Sequence, residues 1–236
     1  MMSITPTIPA PLRVAQGEVH IWSASLDLPS ESCERLYPTL SEDERSRSAR
    51  FRFEHDRQRY LVAHGALRDL LGRYLGTDPR RVRFTYNSFG KPALDPQWGS
   101  RLKFNLSHSA GLALIAIATD ADIGIDVEFI RALPEYGEIA GRFFSASEFA
   151  EFNRLPEGIR AGAFYNRWTR MEACVKAGGE GLGLPSTSHS EITPRLGWSL
   201  HTLRPAPGYI GAVAIAGSGW RLLQRSWQMQ EKLPIG

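Results

Sequence analysis

Two carboxylates one residue apart, Asp126 and Glu128, stand in Ile123-Gly-Ile-Asp-Val-Glu128. On a strand, alternate residues share a face. Ile123, Ile125 and Val127 then point into a core, and Gly124, Asp126 and Glu128 point the other way. Strand rise sets the two acids about 7 Å apart, and the missing side chain at Gly124 leaves space beside them. Acids this close repel unless water, a proton or a cation lies between them. Oxygen-only ligands suit Mg²⁺, which keeps positions for water and phosphate. The competing reading is an exposed edge strand whose two acids are simply solvated.

A second group is Trp168-Thr-Arg-Met-Glu-Ala-Cys-Val-Lys176, in which Trp168, Glu172 and Lys176 fall on one stripe of a helix. As a surface pair, Glu172 and Lys176 are worth about 0.3–0.5 kcal/mol. The tryptophan argues for partial burial, and a third metal carboxylate with a lysine for phosphate charge would give the pair a reason to be there. The third group, Phe104-Asn-Leu-Ser-His-Ser109, is a compact set of donors. A serine-hydrolase dyad fits poorly, because adjacent Ser107 and His108 point apart on a strand and no nucleophile elbow carries them. Hydrogen bonds and a partly cationic imidazole offered to a phosphate fit better. Gly90-Lys91-Pro92 adds a rigid turn that presents one ammonium.

The charge distribution agrees with an anionic ligand. The formal net charge is +3, and the stretch from Arg45 to Arg83 holds eleven arginines against four acids. Arginine forks match phosphate oxygens, although solvated faces of a long helix would look the same. No RNA-binding motif or helix-turn-helix spacing accompanies these arginines, so nucleic acid is not the expected partner. No apolar run reaches the roughly 18 residues of a membrane helix. Met1 to Arg13 has no basic or apolar signal region and is expected to be a loose tail. Cys33 and Cys174 have no metal spacing, and reduced thiols in a cytoplasmic protein are expected.

These groups need elements to hold them. A strand is expected over 18–23, a capped helix start at Ser41 with Glu44, and a long helix over 56–75 ended by Gly76. Strands follow near 82–86, 103–106 and 112–119, with a turn at 88–92. Then come a strand over 123–129, a second capping box at Ser145 and Glu148 with a helix over 147–154, and a helix over about 162–177. Gly111-Leu-Ala-Leu-Ile-Ala-Ile-Ala118 and Tyr209-Ile-Gly-Ala-Val-Ala-Ile-Ala216 are similar small-residue apolar strands, suited to the middle of a sheet. Together these elements favour a duplicated α+β architecture with a site between the halves.

The motifs Gly90-Lys-Pro92, Phe104 to Ser109, Ile123 to Glu128 and Trp168 to Lys176 occur in the order and spacing of 4′-phosphopantetheinyl transferases, and Phe51-Arg-Phe-Glu-His-Asp-Arg57 adds to them. The chain resembles the single-chain, surfactin-synthetase-activator type from about Val19 to Ala216. That resemblance implies an α+β pseudo-dimer, with a tail over 1–13, one half over 14–119 and the other over 120–236, and the active site in the cleft. It implies Mg²⁺, with Mn²⁺ as the alternative ion, held by Asp126, Glu128 and Glu172. Catalysis would involve Glu172, Lys176 and Asp126, with Lys176 meeting the pyrophosphate of coenzyme A, the substrate. Gly90, Lys91 and Pro92 would flank the nucleotide. Ser107 and His108, helped by Arg47, would hold its 3′-phosphate, and Asn105 would also bind substrate. The acceptor would be a serine of an acyl or peptidyl carrier protein, and the enzyme a cytoplasmic monomer that touches neither membrane nor nucleic acid. One departure is Met171, where the family usually has lysine before the glutamate. A non-catalytic module that holds coenzyme A or a carrier is the alternative.

Overall fold

The computed structural model describes residues 11–132, 134–179 and 197–229. Residues 1–10 of the expected tail lie outside the described residues. In chain order the elements are β1 (Glu18–Ser25), α1 (Ser30–Leu36), α2 (Glu42–Ser48), α3 (Glu54–Leu75), β2 (Phe84–Tyr86) and β3 (Pro92–Leu94). They continue with β4 (Leu102–Ser109), β5 (Leu112–Thr119), β6 (Ile123–Phe129), α4 (Tyr136–Phe143), α5 (Ala146–Arg154) and α6 (Glu157–Gly178). The last three are β7 (Trp198–Leu203), β8 (Tyr209–Ala216) and β9 (Arg221–Ser226).

Local chemistry explains most boundaries. Ser41 and Ser145 each accept from the amide three residues on, and Glu44 and Glu148 reach back to the cap amides, so both capping boxes form. Gly76 closes α3 at φ 64° and Gly179 closes α6 at φ 71°, a left-handed geometry that favours glycine. Helix α6 begins five residues earlier than expected, after Pro156, and runs through Gly158 and Gly162. Its packing outweighs the cost of two glycines.

The mixed α+β class is as expected. One sheet has the order β4-β5-β1-β9 and the other β6-β8-β7, so the two apolar strands β5 and β8 are central. Alternation then builds four layers. Ala113, Ile115 and Ile117 of β5 face α3 in one core cluster. Leu114, Ala116 and Ala118 face Ile123, Ile125, Val127, Val213 and Ile215 of the second sheet. Ala212 and Ala214 turn outward to Ala173 and Ala177 of α6. The closing segments of the chain read as strand-like, and β9 is one of them; its return to the first sheet, parallel to β1, is what the sequence does not show. Trp227 follows β9 and donates its indole N–H to the buried Asp69 carboxylate at 2.7 Å.

Gly124 corrects an expectation. The space left by its absent side chain is filled by α6. A Cβ there would lie 2.2 Å from the Ala173 carbonyl and 2.3 Å from the Ala177 nitrogen. The glycine lets helix backbone rest on strand backbone. Gly124→Ala should therefore force α6 off β6 and destabilise the chain by more than about 2 kcal/mol, measured by denaturant unfolding. Wild-type stability would show that α6 is not seated there.

Candidate active site

Strand β6 is an edge strand, yet Asp126 on it is buried and Glu128 half-buried. Its open edge is met by side chains of β4. The Ile125 amide donates to Asn105 Oδ1 at 2.8 Å and the Phe129 amide to Ser109 Oγ at 3.2 Å. The same β4 face carries Ser107, because alternate residues share a face. Ser107 Oγ donates to Asp126 Oδ1 at 2.7 Å, and Ser109 Oγ donates to Glu128 Oε2 at 2.7 Å. A hydroxyl has one proton. Ser109 already accepts from Phe129, and Ser107 accepts from Lys176 Nζ at 3.2 Å, so each serine spends its proton on a carboxylate.

Helix α6 supplies the rest. Seated on Gly124, it brings Glu172 and Lys176 over the same face of β6. Lys176 Nζ donates to Asp126 Oδ1 at 2.6 Å. Asp126 is 3% exposed and Glu172 9%, so Asp126, expected on an open strand face, is buried instead. Asp126 Oδ2 is buried and has no hydrogen-bond partner. Burial pushes the pKa of all three acids up. Lys176 opposes this in each case, and mutual repulsion adds to it at Glu128 and Glu172. These are three carboxylates short of positive charge, one with a bare oxygen in a polar seam. That donor set fits a hard divalent cation. As placed, Glu128 is turned to Ser109 and Asp126 to Lys176. Among the described residues no three acidic, histidine or cysteine side chains close around one point.

Other expected residues gather at a second corner. His108 projects from the face of β4 opposite Ser107. His108 is exposed; the protein beside its ring, with His64 and Lys176 near, lowers its pKa from the usual imidazole value. Arg47 lies over the Tyr86 ring at 5.9 Å, and Tyr60 stacks on His64 at 4.1 Å. The Tyr60 hydroxyl is buried without a hydrogen-bond partner; burial, with Glu44 near, pushes its pKa up to about 12. Arg47 and His108 are thus brought to one basic, aromatic corner, and Ser107 is turned away from it.

Gly90, Lys91 and Pro92 form the turn and first residue of the β2–β3 hairpin. Lys91 turns its ammonium inward, to the Ile123 carbonyl at 3.1 Å and the Ala177 carbonyl at 3.0 Å. Arg170, next to Met171, donates to Thr202 on β7 at 3.3 Å and so does not stand in for the missing lysine. Sequence reasoning missed Ser109, Tyr60 and His64. Period-two alternation from Asn105 would have found Ser109. Tyr60 and His64 stand at helical spacing on α3, where sequence alone marks them as packing residues.

Comparison with known proteins gives the same direction. Residues 122–204 match the family model of the 4′-phosphopantetheinyl transferase superfamily, and residues 28–120 match the 4′-phosphopantetheinyl transferase N-terminal model. The chain is 39% identical over 222 residues to the 4′-phosphopantetheinyl transferase HetI of Nostoc sp., covering 90% of this chain and 94% of that one. It is 31% identical over 172 residues to the 4′-phosphopantetheinyl transferase Sfp of Bacillus subtilis, covering 72% and 75%.

Beneath the basic corner, Glu44 is buried and receives Arg68 Nε at 2.6 Å. Burial alone would raise its pKa; His64, Arg68 and the Ser41 amide outweigh it and hold the carboxyl at about 2. A depressed carboxylate stabilises the fold above its unfolded pKa, and that contribution is lost as pH falls through the folded one. The shift from 4.5 to about 2 corresponds to roughly 3 kcal/mol. Wild-type stability should fall between pH 4.5 and 2, and Glu44→Gln, less stable at pH 7, should lack that share of the decline. Denaturant melts across this range measure it; parallel pH curves would remove Glu44 from the account.

Proposed function

The chain belongs to the 4′-phosphopantetheinyl transferase superfamily, and from that premise we propose how its own residues carry out the transfer. It moves the 4′-phosphopantetheine group of coenzyme A to a serine of an apo carrier protein, releasing adenosine 3′,5′-bisphosphate. The observation that carries the site is the buried, unpartnered Asp126 Oδ2 beside Glu172 and Lys176. A binding module without chemistry would have little use for two buried acids and a half-buried third, all of raised pKa.

The reaction lies in the seam between two α+β halves, residues 14–119 and 120–236, arranged as a pseudo-dimer. Topology supports this. In one half β5 is flanked by β1 and β4, in the other β8 by β6 and β7. A 22-residue helix, α3 or α6, follows the first strand of each. A single chain then holds both halves of the site, and the enzyme is a monomer. Among the described residues no helix is long and apolar enough to cross a membrane. The unpaired Cys33 and Cys174 fit the reducing cytoplasm.

Asp126, Glu128 and Glu172 would hold a Mg²⁺ ion, whose bound charge would offset that of the diphosphate and its leaving oxygen. Ser107 and Ser109 orient the first two carboxylates. Lys176 offers its ammonium to the diphosphate. Arg47 and His108 hold the 3′-phosphate, aided by the Tyr60 hydroxyl, and the backbone of Gly90, Lys91 and Pro92 flanks the nucleotide. Asn105 spends its carbonyl oxygen on Ile125 and shapes the seam. The carrier serine oxygen bonds to the phosphorus bearing pantetheine as the bond from that phosphorus to the bridging oxygen breaks. Glu172, on the face of α6 that meets the seam, takes the serine proton.

Mass spectrometry of an apo carrier mixed with the chain, coenzyme A and Mg²⁺ tests this reading; a gain of one phosphopantetheinyl group is expected. Asp126→Asn keeps the shape of the side chain and the Ser107 contact, and should reduce transfer to background with a folded chain by circular dichroism. Near-wild-type transfer would remove the metal assignment. His108→Ala should raise KM for coenzyme A roughly ten-fold and leave 3′-dephospho-coenzyme A little changed. An equal fall in kcat on both donors would make His108 catalytic instead.

A further inference from the structure

The tip of the β2–β3 hairpin closes on the end of α6. Lys91 Nζ donates to the Ala177 carbonyl at 3.0 Å and to the Ile123 carbonyl at 3.1 Å. Asn87 Nδ2 donates to the Gly179 carbonyl at 2.9 Å. Asn87 Oδ1 accepts the amides of Phe89 at 3.0 Å and Lys91 at 2.9 Å, which fixes the turn that carries the lysine. The fit is close: a Cβ on Gly179 would lie 3.0 Å from Asn87 Nδ2.

The last carbonyls of a helix have no partner within it, and its C-terminus carries the negative end of the helix dipole. The basic residue in the last turn of α6 is Lys176, and it faces Asp126. The Ala177 and Gly179 carbonyls are met from outside, by an ammonium and an amide of the first half. Among the described residues Lys91 forms no salt bridge; Asp122 acts on it only through space, and its ammonium is hydrogen-bonded to the helix end and to Ile123. The same ammonium grips Ile123 at the start of β6, three residues before Asp126.

We infer that Lys91, seated by Asn87, is a positioning residue: it caps α6 from outside, pins the helix end to the start of β6, and so holds Lys176 and Glu172 in register with Asp126. Lys176 immediately precedes the capped Ala177, so a frayed last turn releases it. The side chain of Lys91 thus acts on the transfer through α6, with no contact to the nucleotide. This rests on the reading that the Glu172–Lys176 face of α6 does the chemistry.

The test uses the full chain. Lys91→Met keeps the stem and removes the charge; Lys91→Arg keeps a cation with several donors. Steady-state transfer is measured with coenzyme A and with 3′-dephospho-coenzyme A, and amide hydrogen exchange of residues 174–179 is measured without substrate. Lys91→Met should lose ten-fold or more in kcat on both donors, with KM for coenzyme A within two-fold of wild type. Its amides at 177–179 should exchange at least ten-fold faster, and Lys91→Arg should recover most of both. A raised KM for coenzyme A with unchanged kcat and exchange would overturn the proposal in favour of a phosphate contact. Faster exchange with unchanged kcat would overturn the positioning role as well. Should Lys91→Met not fold, Asn87→Asp decides. It keeps both turn bonds and removes the donor to Gly179, so a smaller loss of kcat with faster exchange is expected, and wild-type values in both overturn the proposal. Wild-type kcat in Lys176→Met would instead remove the underlying reading of the α6 face, a separate result from any of these.

Discussion

The open edge of β6 is the constraint on which the site depends. An edge strand presents a row of amides and carbonyls that must find partners, and burying them unpaired is costly. Among the described residues no strand pairs with that edge. Lys91 takes the Ile123 carbonyl, Asn105 the Ile125 amide and Ser109 the Phe129 amide. Three side chains of the first half do what a neighbouring strand would have done. A strand ladder would have closed the sheets into one surface. Side chains leave a polar seam with room between backbones, and the acids of β6 open into it.

Electrostatics inside the seam follow from that burial. Removing a carboxylate from water raises its pKa unless charge or hydrogen bonds compensate. Ser107, Ser109 and Lys176 compensate in part, and the pKa of each acid still stands above its ordinary value. The arrangement sacrifices stability for a site short of positive charge. The contrast with Glu44 is instructive. That carboxyl is also buried, but two basic side chains and an amide hold it at about 2. Buried Asp69 in the first half also keeps a raised pKa, because burial outweighs Arg73 and Trp227; what sets the seam apart is that three such acids stand together.

Much of this was legible in the sequence, for physical reasons. Period two on β6 separates Ile123, Ile125 and Val127 from Asp126 and Glu128, and the structure places them on those two faces. Serine three residues before glutamate gave both capping boxes, and the small-residue apolar strands proved central. What escaped were relations between distant segments. Gly124 reads as empty space until α6 is laid on it, and nothing near Arg221 says that β9 pairs with β1. Lys91 reads as a solvent-facing ammonium until the end of α6 is brought to it. His108 and Ser107, neighbours in a motif, serve opposite faces of one strand.

That division of faces has a consequence for how the ligand lies. Ser107 and His108 are consecutive, so the carboxylate seam and the basic corner are back to back across β4, only a strand's thickness apart. Coenzyme A carries a diphosphate at one place and a 3′-phosphate at another, joined by one nucleoside. On the reading proposed above, the acidic seam takes the first and Arg47 with His108 the second, so the nucleoside would bridge the two faces of β4. The hairpin ammonium is bonded behind the turn to the Ala177 and Ile123 carbonyls, which under that reading leaves the hairpin backbone to flank the nucleotide.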